Sequence, residues 1–318
     1  MELDKLYTFP ELVIGKLEQW SLTRLTGEDR QTYLQGQLTA EIQGLAAGQH
    51  TLSGHCDPAG KVWSVLRVIN TGKHLWILQT NSAAEKELPE LTKYSVFSKI
   101  TISPVDDYQP IAIIGKHAKT FVEQQWGQSI ATQGGLLNNG FCIAYPQQPM
   151  RYLFILPTQT ANSLSQRDPD CQDIDALWNE LNIIAGLPSL TAKTSGQFIP
   201  QALNLQLLDA ISFTKGCYTG QEVVARAKYR GINKRATLRF VGQSTQPIES
   251  GQDIEMQLGD NWRRCGTLLQ SFRQENGYTE VLAVVRADSS ADCKYRLQNQ
   301  PDSQLTLAHL PYSLTPVE

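Results

Sequence analysis

The chain contains no C-x-x-C pair and only five histidines, none in an H-E-x-x-H arrangement. Structural zinc sites take ligands at such close, paired spacings, so no self-contained metal site is expected. The six cysteines, Cys56, Cys142, Cys171, Cys217, Cys265 and Cys293, are widely spread and read as free thiols of a reducing compartment, not as a disulfide frame. No apolar run reaches the roughly 18–20 residues that cross a bilayer, and Met1-Glu2-Leu3-Asp4-Lys5 lacks the basic start and apolar core of a signal peptide. A cytoplasmic protein with no membrane partner is expected. The G-x-S-x-G elbow, the G-x-G-x-x-G turn and the Walker loop are also missing, which leaves triad hydrolysis and nucleotide-driven chemistry without support. A formal net charge of -3 lacks the positive excess of proteins that coat nucleic acid, and direct binding to it is not expected.

What the chain does have is a dense stretch at residues 215 to 226, Lys-Gly-Cys-Tyr-Thr-Gly-Gln-Glu-Val-Val-Ala-Arg. Cys217 stands between Gly216 and Gly220, residues that allow a tight turn and a close approach to a ligand. A helix-like run follows from Gln221. Its free N-H groups and positive dipole end, with Lys215 two residues from the sulfur, would favour thiolate over thiol. A cysteine that merely fills space beneath a turn is the competing reading. Between Lys215 and Arg239 seven basic residues (Lys215, Arg226, Lys228, Arg230, Lys234, Arg235 and Arg239) face one acid, Glu222. This local excess fits an anionic ligand or partner met at one place, or else a solvated face paired with carboxylates elsewhere.

Taken in order, residues 11 to 25 read as extended segments with Trp20, Leu22 and Leu25 turned inward, followed by a short helix ended by Gly36. Strands at 50–56 and 61–70 flank a turn at Asp57-Pro58-Ala59-Gly60, and the second is apolar on both faces. His55-Cys56-Asp57 reads as strand-end packing and turn capping. A third strand at 73–79 leads to a helix capped by Ser82 and bent or restarted at Pro89. Further strands are expected at 99–102, 111–114, 141–144 and 152–156, with a helix around 119–126. After a polar loop at 165–173 comes the clearest helix: Ile174, Leu177, Trp178, Leu181 and Ile184 recur at helical spacing, stopped by Gly186 and Pro188. Six short strands from about residue 235 onward, with no helix among them, predict a small antiparallel barrel. The chain is thus expected to be α+β, with domains at 1–232 and 233–318. Trp20 and Trp178 sit in apolar frames that suit either a core position or the wall of a pocket for a flat heterocycle.

The run Lys215, Gly216, Cys217, Tyr218, Gly220, Gln221, Glu222 matches the K-G-C-[aromatic]-x-G-Q-E signature of the YgfZ family. The likeness extends from Trp20 and Tyr33-Leu34-Gln35-Gly36-Gln37, through Gly196-Gln197-Phe198-Ile199-Pro200-Gln201, to Leu310-Pro311-Tyr312-Ser313-Leu314. The chain therefore resembles YgfZ proteins, which are similar in fold to the aminomethyltransferase T-protein of glycine cleavage. That resemblance implies mixed α/β layers around a central cavity, folate as ligand, and a role in supporting iron-sulfur enzymes such as those that methylthiolate tRNA. It implies Trp20 and Trp178 at the folate cavity, joined by Tyr218, Gln221, Glu222 and Arg226, with Cys217 as the reactive group and Lys215 assisting it. Where the T-proteins carry G-G-x-x-D-D, this chain has Gly60-Lys61-Val62-Trp63-Ser64-Val65. The missing carboxylate weighs against aminomethyl transfer. A folate-dependent one-carbon transferase and an RNA-binding module built on residues 226 to 239 remain the rival readings.

Overall fold

The computed structural model describes residues 10–146, 150–165, 173–229, 231 and 233–314. Two five-stranded antiparallel sheets and a closed barrel divide the chain between them. The first sheet is built from β2 (Trp20–Thr26), β3 (His50–Cys56), β4 (Val62–Asn70), β5 (Leu75–Thr80) and β6 (Thr101–Pro104), in the order β3-β4-β5-β2-β6. The second contains β1 (Val13–Lys16), β7 (Tyr108–Ile114), β8 (Gly135–Leu137), β9 (Gly140–Tyr145) and β10 (Arg151–Pro157), in the order β1-β7-β10-β9-β8. The first strand of the chain thus belongs to the second sheet, which interleaves the two.

Both sheets are apolar on both faces, as the sequence of β4 suggested. Leu22 and Leu25 accordingly enter different cores. The outer face of the first sheet carries α1 (Arg30–Gln37) and α2 (Asn81–Lys93), which cover Leu66, Val68, Leu75 and Ile77. On the second, α3 (Ala118–Trp126), α4 (Gln128–Gln133) and α5 (Thr158–Ser165) cover Ile111, Ile113, Tyr152 and Phe154. The two inner faces meet each other and one stripe of α6 (Ile174–Ile184), made of Ile174, Trp178, Leu181 and Ile184. The other side of α6 lies against the barrel, where Ile183 joins the core of Leu238, Phe240, Leu268 and Val281. This helix is the hub on which the three sheets converge.

The barrel runs β11 (Arg235–Gln243), β12 (Asp253–Leu258), β13 (Asn261–Arg273), β14 (Tyr278–Arg286), β15 (Tyr295–Leu297) and β16 (Gln300–Ala308), and closes in the order β11-β14-β13-β12-β15-β16. Closure removes every unpaired edge, which lets a small antiparallel sheet exist without aggregating. The α+β expectation and the barrel are both borne out.

Two local expectations need correction. The cap of α2 is Thr80, whose hydroxyl accepts from the Ala83 amide, while the Ser82 hydroxyl accepts from Ala192 instead. The same helix continues through Pro89 and does not restart there. Pro89 and Glu85, whose carbonyl loses its partner, are both exposed, so that carbonyl is open to solvent, and the buried residues Glu87 and Leu91 hold the helix to the sheet. Most of the polar loop expected at 165–173 lies outside the described residues.

Candidate functional site

A cavity of about 590 Å³ opens where the first sheet, α6 and the barrel come together. Trp20 and Trp178 both line it, with Glu18, Asp175, Asn182 and Gln270 among the polar groups around them. Its walls are set by α6. Asp173 caps that helix through the Ala176 amide at 3.0 Å. Two residues further on, the Asp175 carboxylate accepts from the backbone amides of Glu18 at 2.9 Å and Gln19 at 3.2 Å. The strand carrying Trp20 begins at the next residue, so a single side chain of α6 fixes where that indole enters. Burial holds the Asp175 carboxyl above its usual range, with the two amide bonds acting the other way. The barrel is tied on through Gln270, whose amide donates to Asn179 and accepts from the Ser189 amide at 2.7 Å.

The two tryptophans differ in what they offer. Trp178 is 1% exposed, and the Arg151 guanidinium lies 4.3 Å from its ring centroid. Tyr145 meets it edge-on at 5.3 Å. One face of Trp178 is thereby taken by a cation, and the residue serves chiefly as wall. Trp20 is half-buried and lines both this cavity and a smaller chamber of about 40 Å³ beside it. Trp20 is the indole free to stack on a ligand.

The motif around Cys217 is elsewhere. None of residues 215–226 lines the two-tryptophan cavity. Cys217 is the exposed cysteine among the described residues; Cys56 and Cys142 are buried, and burial pushes both thiols far up. The loop is anchored on the hairpin of β3 and β4 and on the segment after α1. The Lys215 ammonium donates to the carbonyls of Leu38 at 2.8 Å and Ala40 at 2.6 Å. Burial draws its pKa down to about 8, with Glu41 opposing. This charge is committed to two carbonyls inside the protein and not turned out toward the sulfur, so Lys215 acts as an anchor. Tyr218 is buried beside Lys215, 5.1 Å from its nitrogen, and the Thr219 amide donates to Gly36.

Gly220 has φ +83°, and a Cβ there would lie 2.6 Å from the Asp57 carbonyl oxygen and 2.9 Å from the Cα of Gly60. The close approach that this glycine permits is thus backbone against backbone. Gly216, by contrast, has open space around it. The helix that follows, α7 (Gln221–Tyr229), runs as the sequence predicts. Gln221 reaches back to the Gly216 carbonyl at 3.5 Å. Glu222 and Arg226 form an exposed ion pair one turn apart on α7, so the structure does not bring Tyr218, Gln221, Glu222 or Arg226 to the cavity with the tryptophans.

The basic excess is also divided. Lys215 and Arg239 point inward, Arg239 making a two-toothed bond to Glu280 at 2.8 Å. Arg226 is paired, Lys228 lies over the Phe213 ring at 3.9 Å, and Arg230 is outside the described residues. Sequence reading missed the partner of His55: its ring bonds to Glu87 at 2.9 Å, both wholly buried, and Gln79 and Ser64 complete the chain of bonds. Asp57 does cap its turn, accepting from the Lys61 amide at 2.7 Å. Among the described residues no group of three or more His, Cys, Asp or Glu is placed to hold a metal, and no helix is long and apolar enough to cross a membrane.

Known proteins match both the whole chain and its barrel. The YgfZ beta-barrel domain family matches residues 233–300. The tRNA-modifying protein YgfZ of Yersinia pseudotuberculosis serotype O:1b (strain IP 31758) is 42% identical over 310 residues, covering 95% of this chain and 93% of that protein. The protein of the same name from Yersinia enterocolitica serotype O:8 / biotype 1B (strain NCTC 13174 / 8081) is 41% identical over 308 residues, covering 96% and 93%. In structure, the glycine cleavage system aminomethyltransferase T from Bartonella henselae superposes with a TM-score of 0.72 at 14% identity, over 96% of this chain and 87% of that one, a likeness of fold. With identity of this level spread along nearly all of its length, the chain belongs to the YgfZ family of tRNA-modifying proteins.

Proposed function

We propose that the protein is a folate-binding accessory factor that supports iron-sulfur enzymes of tRNA modification, including methylthiolation, and acts through Cys217. The observation that carries the reading is the shared cavity of Trp20 and Trp178. Its volume of about 590 Å³ falls within the roughly 300–1,000 Å³ of small-molecule sites. A partly free indole, the Asn182 amide and the Ser189 hydroxyl give it one flat apolar surface and polar groups able to read an edge. Those features fit a pterin ring. Folate, when bound, would supply a carrier for one-carbon units. The protein's own part is to hold the ring against Trp20 and exclude water from its buried side.

Cys217 would act at the surface, where a client protein can reach it. Its loop is fixed by Lys215, Tyr218 and Gly220, so the exposed thiol is presented by a rigid frame. Folate and sulfur are thereby separate elements of one function, joined through the first sheet, which carries Trp20 on β2 and the hairpin of the Cys217 loop on β3 and β4. The rival reading, a one-carbon transferase, has no carboxylate in the Gly60–Val65 run to draw on.

Titration with tetrahydrofolate should quench tryptophan fluorescence, and Trp20→Ala should weaken binding at least tenfold. Equal affinity in the two proteins would remove folate from this cavity. Cys217→Ser should keep wild-type stability and folate affinity yet fail to restore tRNA methylthiolation to cells lacking the protein. Full restoration by that variant would end the role of the sulfur.

A further inference from the structure

Across the inner face of the first sheet, the register aligns Leu22, Leu78, Arg67 and Leu52 on four neighbouring strands. Arg67 is the one charge in a row of leucines that faces the core. On the inner face of the second sheet, Arg151 occupies the position next to Leu153 and Ile155, while Tyr152 and Phe154 point outward. Two strands from two different sheets therefore aim a guanidinium at the same interior. They meet at Tyr145: Arg151 lies 4.7 Å and Arg67 5.5 Å from its ring centroid.

Neither arginine is ion-paired among the described residues. Arg151, 3% exposed, donates to the Trp178 carbonyl at 3.2 Å and to the Asn182 side-chain oxygen at 2.9 Å. Arg67 donates to His50 Nδ1 at 3.0 Å. Burial, with Arg67 adding, draws the pKa of His50 down to about 3, so at neutral pH it is an uncharged acceptor. Among the described residues, neutral acceptors and ring faces are what surround the buried Arg151 and the partly buried Arg67. For Arg151, taken out of water with no carboxylate partner among the described residues, a ring face offsets only part of the lost hydration, while Arg67 keeps some contact with solvent. Two like charges on one ring also repel, and Arg151 is held down to about 10 by burial, with Arg67 contributing.

Arg67, Tyr145 and Asn182 all line the chamber of about 40 Å³ beside Trp20, in which Arg67 is the only charged residue among the described ones and Leu52, Val65, Leu66 and Leu78 make half of the rest. One water needs about 10–15 Å³ measured in this way, so a few heavy atoms fit. The chamber shares Trp20, Asn182 and Ser189 with the larger cavity, which carries Glu18, Asp173 and Asp175 but no lysine or arginine on its described wall. Charge is therefore polarised along the site, acidic at the outer end and basic at the inner.

We infer that the chamber bounded by Arg67, Tyr145 and Asn182 is an anion subsite, taking a carboxylate-sized group at the inner end of the two-tryptophan cavity. Its assignment as part of a ligand site rests on the folate reading of that cavity; the anion subsite itself does not. The occupant is either a carboxylate of the ring-bearing ligand or a separate small anion such as formate. Arg67 would make the contact. Arg151 would act behind it, as a positioning residue that orients Asn182 and Tyr145.

Bromide, followed by its anomalous scattering, tests the subsite in crystals of the full chain. A peak is expected beside Arg67 in the wild type, retained in Arg67→Lys and lost in Arg67→Met. No chamber peak in the wild type, or an undiminished one in Arg67→Met, overturns the inference. Soaks with tetrahydrofolate and with tetrahydropterin, which lacks the glutamyl carboxylates, then identify the occupant. Displacement by tetrahydrofolate alone assigns the ligand's own carboxylate and supports the subsite; a peak that survives both, and yields to formate, assigns a separate small anion and supports it equally. Fluorescence titration with tetrahydrofolate keeps the two readings apart. A bromide peak in a protein that does not bind tetrahydrofolate overturns the folate reading alone, and normal binding with an empty chamber overturns the subsite alone.

Discussion

Trp178 and Cys217 are embedded in opposite ways. Trp178 lies at 1% exposure in the middle of α6, with a guanidinium on one face, a tyrosine edge beside it and three sheets converging on its helix. Cys217 is exposed, and what is buried in its loop is everything around it: the Lys215 amine, the Tyr218 ring and the contact of Gly220 with the Asp57–Gly60 turn. In the first region the residue of interest is itself part of the core, so changing it changes the fold. In the second the frame is structural and the sulfur is free of it. Binding and reactivity in this protein are consequently separable by mutation to very different degrees.

That contrast can be broken first at its strong end. Trp178→Ala removes a wholly buried indole and uncovers Arg151, and should cost about 3–5 kcal/mol, read from the urea midpoint. A loss below about 1 kcal/mol would show the site to be far looser than its packing implies.

Next in size is the frame around the sulfur. Gly220→Ala places a methyl group against backbone at a positive φ and should destabilise by about 2–3 kcal/mol. Gly216→Ala meets open space and should stay within about 0.5 kcal/mol of wild type. If the two glycines behave alike, the account of the loop as docked on the hairpin fails.

The effect at Lys215 is expected to be somewhat below that of Gly220→Ala, and it depends on pH. An unfolded chain keeps this proton up to the ordinary value of 10.5, whereas the folded protein releases it near 8. Between those values the unfolded state binds more protons, so stability from this group must rise with pH and is lowest at and below about pH 8. Lys215→Met should lack that rise, and should also lose about 1–3 kcal/mol at neutral pH because the Leu38 and Ala40 carbonyls are left without donors. Superimposable pH profiles for the two proteins would show the amine to be solvated.

Much of the fold was legible in the sequence because it is written in periodicity. Ile174, Trp178, Leu181 and Ile184 recur at helical spacing on α6, and the six barrel strands alternate between turn residues that mark their ends. That α2 does not restart at Pro89 was not legible, because a helix continues through proline where the lost carbonyl is exposed, and exposure is not a local property. The pairing of His55 with Glu87 was invisible for a related reason: 32 residues separate them, and only the packing of α2 on the first sheet brings them together.

The functional residues divide along the same line. By itself the sequence determined which side chains have chemistry to offer: two indoles in apolar frames, one cysteine between glycines, and a cluster of cations beside it. It determined the barrel as well, since alternation and turns are properties of neighbouring residues. Only the tertiary structure decided where those groups point. It turned Lys215 inward, took Tyr218 into the core, left the tryptophans in one cavity away from the sulfur, and set Arg67 and Arg151 against a common ring. Those outcomes depend on the register of strands and the docking of sheets, which bring together residues far apart in the chain and which no local pattern encodes.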